Sequence, residues 1–350
     1  MSTLLVYPYS RESCELVRYV DMTQFERIIP VSPLSFGIDG DANMVDGGPR
    51  THVNVESDYE ASLKRADAVL FVKSFPEIPR TDYEVKISSA LSVGKKVYTV
   101  REVLGEKSTE FQEIEIIDEK HQCEEKFIGG DEIYEIPVPV IVVLGAGAFC
   151  DKFQLQLSLR QFFLEQGYKV SQWGSKSIST VFGFEMLPDF LFENGDSLQK
   201  IVSLNHLVYS KVIKKHADVV LIGVPGGIMQ CNPYRYTEVG EMAYLISNAI
   251  KSDICLLSIY ANTFSNQFID ELRQLCRYRY DYKIFGFNVA SSTYTLSEFF
   301  EDEYITIPLE VVRNSIASVT GESCELFTVY EEKGRENMFN QILEKLQNNI

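Results

Sequence analysis

Long apolar runs are missing from this 350-residue chain: 45% of its residues are hydrophobic, yet no segment approaches the ~18 uninterrupted apolar residues a membrane-spanning helix needs. No membrane segment is expected. Basic residues are scarce, 33 Lys and Arg against 50 Asp and Glu, and they do not cluster. A net charge of −17 argues against a nucleic-acid partner, because a polyanion is held by clustered cations that release its counterions. The charge suits a basic partner or simple solubility. The four histidines (His52, His121, His206, His216) stand in unrelated contexts, and spacing yields no Ser/His/Asp arrangement, so no catalytic residue is assigned. Seven cysteines (Cys14, Cys123, Cys150, Cys231, Cys255, Cys276, Cys324) are odd in number and never take the C-x-x-C spacing of a zinc or redox site. The first residues carry no basic region, apolar core and cleavage site of a secretion signal. Reduced thiols in a cytoplasmic protein are the expectation.

What the chain has is alternation. Its length is roughly twice the ~150-residue domain prior, and the strand-helix pattern runs twice. In the first hundred residues "TLLVYPY", "RIIPVSP", "DAVLFVKS" and "VYTVRE" read as strands, and "ESCELVRYV", "DYEASLKRA" and "DYEVKISSALSVGKK" as helices. From Val138 the pattern restarts with strand "VPVIVVLG", a helix to about Gln166 capped by Gly167, then strands "YKVSQWG", "DVVLIGVP", "DICLLSIY" and "KIFGFNVA" between helices. Uniformly apolar strands are those of a parallel sheet covered on both faces. The expected fold is α/β, with a Rossmann-like domain over 1–101, an acidic linker or excursion over 102–137, and a P-loop-like domain with closing helices over 138–350.

The stretch "VLGAGAFCDKF" places a glycine-rich turn and a lysine between a strand and a helix. A Walker A loop, G-x-x-x-x-G-K-[ST], wraps phosphates in backbone N–H groups, reaches them with Lys and ligates magnesium with Ser or Thr. Counted back from Lys152, Ala146 stands at the first glycine, Asp151 at the second and Phe153 at the hydroxyl. Gly145 and Gly147 still permit the turn, and Lys152 opens a helix whose positive end attracts anions. Asp151 is expected either to cap that helix or to compete with a phosphate for its N–H groups.

A second strand end, "DVVLIGVPGGIMQCN", runs into Gly226 and Gly227 and resembles the Walker B side of dethiobiotin synthetases and MinD-like ATPases. Gly145, Gly147, Asp151, Lys152, Gly226 and Gly227 are therefore the candidate cofactor residues, for a nucleotide or another phosphate-bearing ligand. Packing explains the glycines equally well. Cys150 and Cys231 fall in loops at the same predicted sheet edge, where a thiol pair or metal site is one reading and inert thiols the commoner one. Asp39, Asp41 and Asn43 imitate an EF-hand loop, but Met44 stands where glycine is required and Arg50 where the bidentate Glu belongs. No metal is expected. The 34–52 loop is long enough to be functional.

Five stretches together, "LLVYPYSRE", "VSPLSFGIDGDANMVDGG", "ADAVLFVKS", "LGAGAFCDKFQLQLSLRQFFLEQGYKVSQWGSK" and "VVLIGVPGGIMQ", resemble the clostridial peptide maturation system proteins. These are accessory proteins encoded beside a radical SAM enzyme and a short Cys-rich, bacteriocin-like precursor peptide. The D-K-F-x-x-Q-L-x-L-R run from Asp151 to Arg160 is the most specific part, and it makes Asp151 and Phe153 family features. The resemblance implies a role in maturation of a ribosomally made peptide, with precursor peptide or a radical SAM maturation enzyme as partner. The alternative is an enzyme or switch that binds a nucleotide or phosphometabolite at the Gly145 and Gly226 loops. The acidic stretch and the 34–52 loop are the candidate contact surfaces.

Overall fold

The computed structural model describes residues 2–105, 113–118, 130–230, 232–234, 240–261, 265–299, 301–319 and 326–348. Thr3–Tyr7 (β1), Arg27–Pro30 (β2), Ala68–Phe71 (β3), Lys96–Thr99 (β4) and Ile114–Ile116 (β5) form one sheet in the order β2-β1-β3-β4-β5, parallel throughout. Every residue of β1 is buried, which is why "TLLVY" is apolar without alternation. Tyr59–Leu63 (α1) starts where expected, with the Asp58 carboxylate accepting the Ala61 N–H at 3.0 Å. Arg80–Ser92 (α2) lays Tyr83, Ile87 and Ala90 on the sheet. The helix expected over "ESCELVRYV" shrinks to one turn, Glu15–Arg18. Ser13 to Val17 are buried at consecutive positions, so they lack the one-sided burial that sustains a surface helix.

The second sheet is built from Val140–Gly145 (β6), Val170–Gly174 (β7), Val219–Gly223 (β8), Ile254–Ile259 (β9) and Ile284–Val289 (β10). They run β7-β8-β6-β9-β10, all parallel. The segment expected as a strand from Val138 is thus strand from Val140 to Gly145, with neighbours on both sides. Lys152–Glu165 (α3) sets Leu155, Leu159 and Phe163 on one face of the sheet, beside Phe339, Ile342 and Leu346 of the closing helix Glu332–Gln347. Ser197–Lys215 (α4), Glu241–Ala249 (α5) and Asn266–Tyr280 (α6) cover the other face through Leu204, Val208, Ile246, Ile269 and Leu272. Each such buried side chain is worth about 1.5–3 kcal/mol of transfer free energy. Gly167, at φ 85°, ends α3 as expected: its N–H bonds Leu164 O, and the Tyr168 N–H bonds Phe163 O.

By their contacts, residues 1–121 with 176–186 form one compact unit, and 122–175 with 187–350 the other. The expected boundary at residue 101 is corrected accordingly. β5 lies inside the stretch read as a linker, because Ile114, Ile116 and Ile117 pack on the first core despite their acidic surroundings. Residues 131–136 of that stretch group with the second unit.

Candidate functional site

From β6 the chain passes two places out to β7, returns to β8 between them, then crosses to β9 and β10 on the other side, so the winding reverses at the carboxyl end of β6, where open α/β sheets hold ligands. The glycine-rich turn sits there. A Cβ on Gly145 would lie 2.5 Å from Cys150 Sγ and 2.9 Å from Lys152 Cδ, so only glycine lets the turn fold back over the strand end. Gly226, at φ 71°, supplies a left-handed step. A Cβ on Gly227 would come within 2.6 Å of Ala146 O and 2.7 Å of Gly147 Cα. The two loops named from the sequence therefore touch, and the Ile228 N–H donates to Gly145 O at 3.1 Å.

The functional groups of the turn are engaged in holding it. The Lys152 ammonium donates to the carbonyl oxygen of Gly226, which ties the two loops together. Asp151 does not cap α3, which corrects the expectation: the residue is left-handed (φ 56°) and makes no side-chain cap bond. Its buried carboxylate instead accepts the Ser291 N–H at 2.6 Å, and so does not block the helix end. Phe153 is buried in the position a magnesium-binding hydroxyl would occupy. The Cys150 thiol donates to Gly147 O at 3.1 Å; burial pushes its pKa up against the pull of the Lys152 ammonium, so it stays protonated at neutral pH. Cys231 lies outside the described residues, and with it the proposed thiol pair. Among the described residues no group of three or more His, Cys, Asp or Glu side chains is placed to hold a metal.

Sequence reasoning missed the residues that support the turn. Tyr260 donates its hydroxyl to Ala148 O at 2.5 Å, Ser292 donates to Phe149 O at 2.6 Å, and the Ala146 N–H bonds Ser258 O at 2.8 Å. Asn288 bridges Ser258 Oγ (2.9 Å) and the Val329 N–H (2.8 Å). Below the turn, Gln156 of α3 lies over Gly223, where any Cβ would collide with its amide. Tyr260, Ser292, Ser258 and Asn288 come from strands and strand ends distant in sequence, and no local motif announces them; Gln156 stands in the Asp151–Arg160 run, but its place over Gly223 is not legible there.

In the first unit the 34–52 loop is organised by one carboxylate. Asp41 accepts the N–H groups of Asn43 (2.9 Å), Thr51 (3.0 Å) and His52 (2.7 Å) and the Thr51 hydroxyl (2.8 Å). Partial burial works to raise the Asp41 carboxyl, but these donors outweigh it and hold it at about 2. Asp46 pairs with Arg18 and accepts the Gly48 N–H. A second ionic cluster escaped the sequence reading: buried Glu15 lies 2.8 Å from Lys176, whose ammonium also donates to Arg11 O and Glu12 O. Burial alone would lower the Lys176 pKa, yet Glu15 and Glu12 hold it above its ordinary value.

No protein-family model and no curated protein matches the chain. Among solved structures, the crystal structure of a DUF1611 family protein from Anabaena variabilis matches with a TM-score of 0.63 at 12% identity, over 98% of this chain and 100% of that one. The likeness is one of fold. A GTPase in apo form from Pyrococcus abyssi matches over 59% of this chain and 97% of its own at 15% identity and a TM-score of 0.32. The signal recognition particle receptor FtsY from Elizabethkingia anophelis matches over 57% and 65% at 13% and 0.32. The fold is α/β, Rossmann-like in the first unit and P-loop-like in the second. Among the described residues no helix is long and apolar enough to cross a membrane.

Proposed function

We propose that the chain is an accessory protein in the maturation of a ribosomally synthesised, bacteriocin-like peptide, and that it binds the precursor peptide or its modifying enzyme without hydrolysing a nucleotide. One observation carries the non-hydrolytic part. The turn keeps the outline of a phosphate loop, but Asp151 serves Ser291, and Phe153 is core where a magnesium ligand would stand. The peptide part rests on the likeness of five sequence stretches to the clostridial peptide maturation system proteins. Co-purification from the native gene cluster, with and without the precursor gene, tests it. Recovery of precursor or radical SAM enzyme with the chain supports the reading, and a chain that ignores both but turns over a small metabolite alone overturns it.

A second reading is favoured by one partner of Lys152, the neutral backbone carbonyl of Gly226. A phosphate oxygen is a stronger, charge-assisted acceptor for an ammonium. In this reading the turn holds a nucleotide or other phosphate-bearing ligand as a static or switching group, with Lys152 leaving Gly226 to meet it.

A further inference from the structure

At the opposite end of the second sheet, where β6 and β9 begin, the chain has an open backbone edge beside a cavity. Residues 131–136 run with neither turn nor bend along α4. Asn205, buried on α4, grips this segment as a strand neighbour would: the Tyr134 N–H donates to Asn205 Oδ1 at 2.7 Å, and Asn205 Nδ2 donates to Tyr134 O at 2.9 Å. His206 bonds Glu132 O at 2.9 Å, and its ring lies against that of Tyr134, centroids 4.8 Å apart and tilted by 33°. Backbone groups of an extended chain point alternately to its two sides. The Glu132 and Tyr134 groups face α4, so those of Ile133 and Glu135 face away from it, and among the described residues they have no hydrogen-bond partner.

Residues 133–136 line a cavity of ≈ 840 Å³ whose other walls are the end of α5, Lys251 and the end of α6. The walls present apolar surface that a protein ordinarily covers: Tyr244, Tyr278 and Ile133 are exposed, Tyr278 at 87%. The charges at the rim divide unevenly. Arg277 is paired with Asp281 at 2.5 Å, and Asp253 accepts the Val140 N–H at 2.8 Å. Lys251 has no partner among the described residues. A chain of net charge −17 thus keeps an unpaired cation beside an unpaired strand edge and exposed tyrosines.

We propose that this cavity is a strand-addition site for an extended peptide, which pairs its backbone with Ile133 and Glu135, lays aromatic or branched side chains on Tyr244 and Tyr278, and sets a carboxylate against Lys251. The inference rests on the reading that the chain binds a peptide, and it gives that peptide a place and a chemistry. Unpaired N–H and C=O groups at strand spacing match an extended backbone, and an acidic residue matches Lys251.

The probe is a fluorescein-labelled synthetic decapeptide alternating Val and Thr, with one central Tyr and one Glu, titrated into the full chain by anisotropy. N-methylation of alternate residues in one register removes the edge-facing N–H groups, and in the other register leaves them. Binding should fall at least about tenfold for one register only, by about tenfold in Tyr278→Ala, and in Lys251→Glu should recover when the peptide Glu is changed to Lys. Tyr278 and Lys251 are exposed, so neither change threatens folding. Absence of binding, equal loss in both registers, or variants that bind like the parent chain would overturn the site. If the native precursor co-purifies while the decapeptide does not bind, the site falls and the maturation reading stands. If the decapeptide binds in one register and the precursor is ignored, the site stands and the maturation reading falls.

Discussion

The carboxylate of Asp151 accepts the backbone N–H of Ser291 at 2.6 Å, across 140 residues of sequence. The bond fixes the entry to α3 against the loop that follows β10, and it explains why a left-handed aspartate stands in this turn.

Removing that acceptor leaves a buried N–H without its partner, which costs about 1–3 kcal/mol. Asp151→Ala should lower the stability of the chain by that order in urea unfolding, with the midpoint shifted and the slope unchanged. Asp151→Asn should lose much less, because its amide oxygen still accepts and asparagine tolerates the left-handed region. Equal losses in the two variants would show that the bond is unimportant.

Lys152→Ala and Phe153→Ser separate the two readings of the turn. Calorimetry with inorganic phosphate and with nucleotides should show any anion binding weakened by Lys152→Ala, since the ammonium is the turn's side-chain cation. Phe153→Ser should not create magnesium-dependent hydrolysis. It should instead cost about 3–5 kcal/mol, the usual consequence of truncating a buried phenylalanine, because the side chain is core. Hydrolysis gained by this variant would show that the site lacks only a metal ligand.

The order strand, glycine turn, lysine, helix was legible because it is local: β6 is uniformly apolar, and Leu155, Leu159 and Phe163 repeat at helical spacing. β5 was not, since three residues, Ile-Glu-Ile, in an acidic stretch give too short a period to outweigh composition. The duties of Asp151 and Lys152 were illegible for a different reason. Their partners, Ser291 and Gly226, are 140 and 74 residues away, and a backbone group leaves no mark on the sequence. The same holds for Lys176 and Glu15, 161 residues apart, and for Asn205, which reads locally as an ordinary helix residue.

Gly227→Ala tests whether the contact between the two loops is required. The added methyl would lie 2.6 Å from Ala146 O, a backbone atom that cannot rotate away, so one loop must shift, at about 1–3 kcal/mol. Gly195→Ala is the control, since its Cβ meets nothing nearer than Lys200 Cε at 3.8 Å. Thermal unfolding should show a lower Tm for the first and little change for the second. Similar behaviour of the two would mean that the loops move apart freely.

Asp41 carries a pH signature. Its carboxyl sits at about 2 in the folded chain, against about 3.9 for an unperturbed aspartate, so the folded state binds a proton less readily than the unfolded state. The stability this supplies is full above about pH 4 and disappears as pH falls through about 2. Asp41→Asn removes the charge that gathers the Asn43, Thr51 and His52 N–H groups. The parent chain should therefore be the more stable by a constant margin from neutral pH down to about pH 5, and the margin should narrow between about 4 and 2. Tm measured against pH for the two chains checks this. A margin that persists unchanged at pH 2 would show that Asp41 holds the 34–52 loop by its shape and not by its charge.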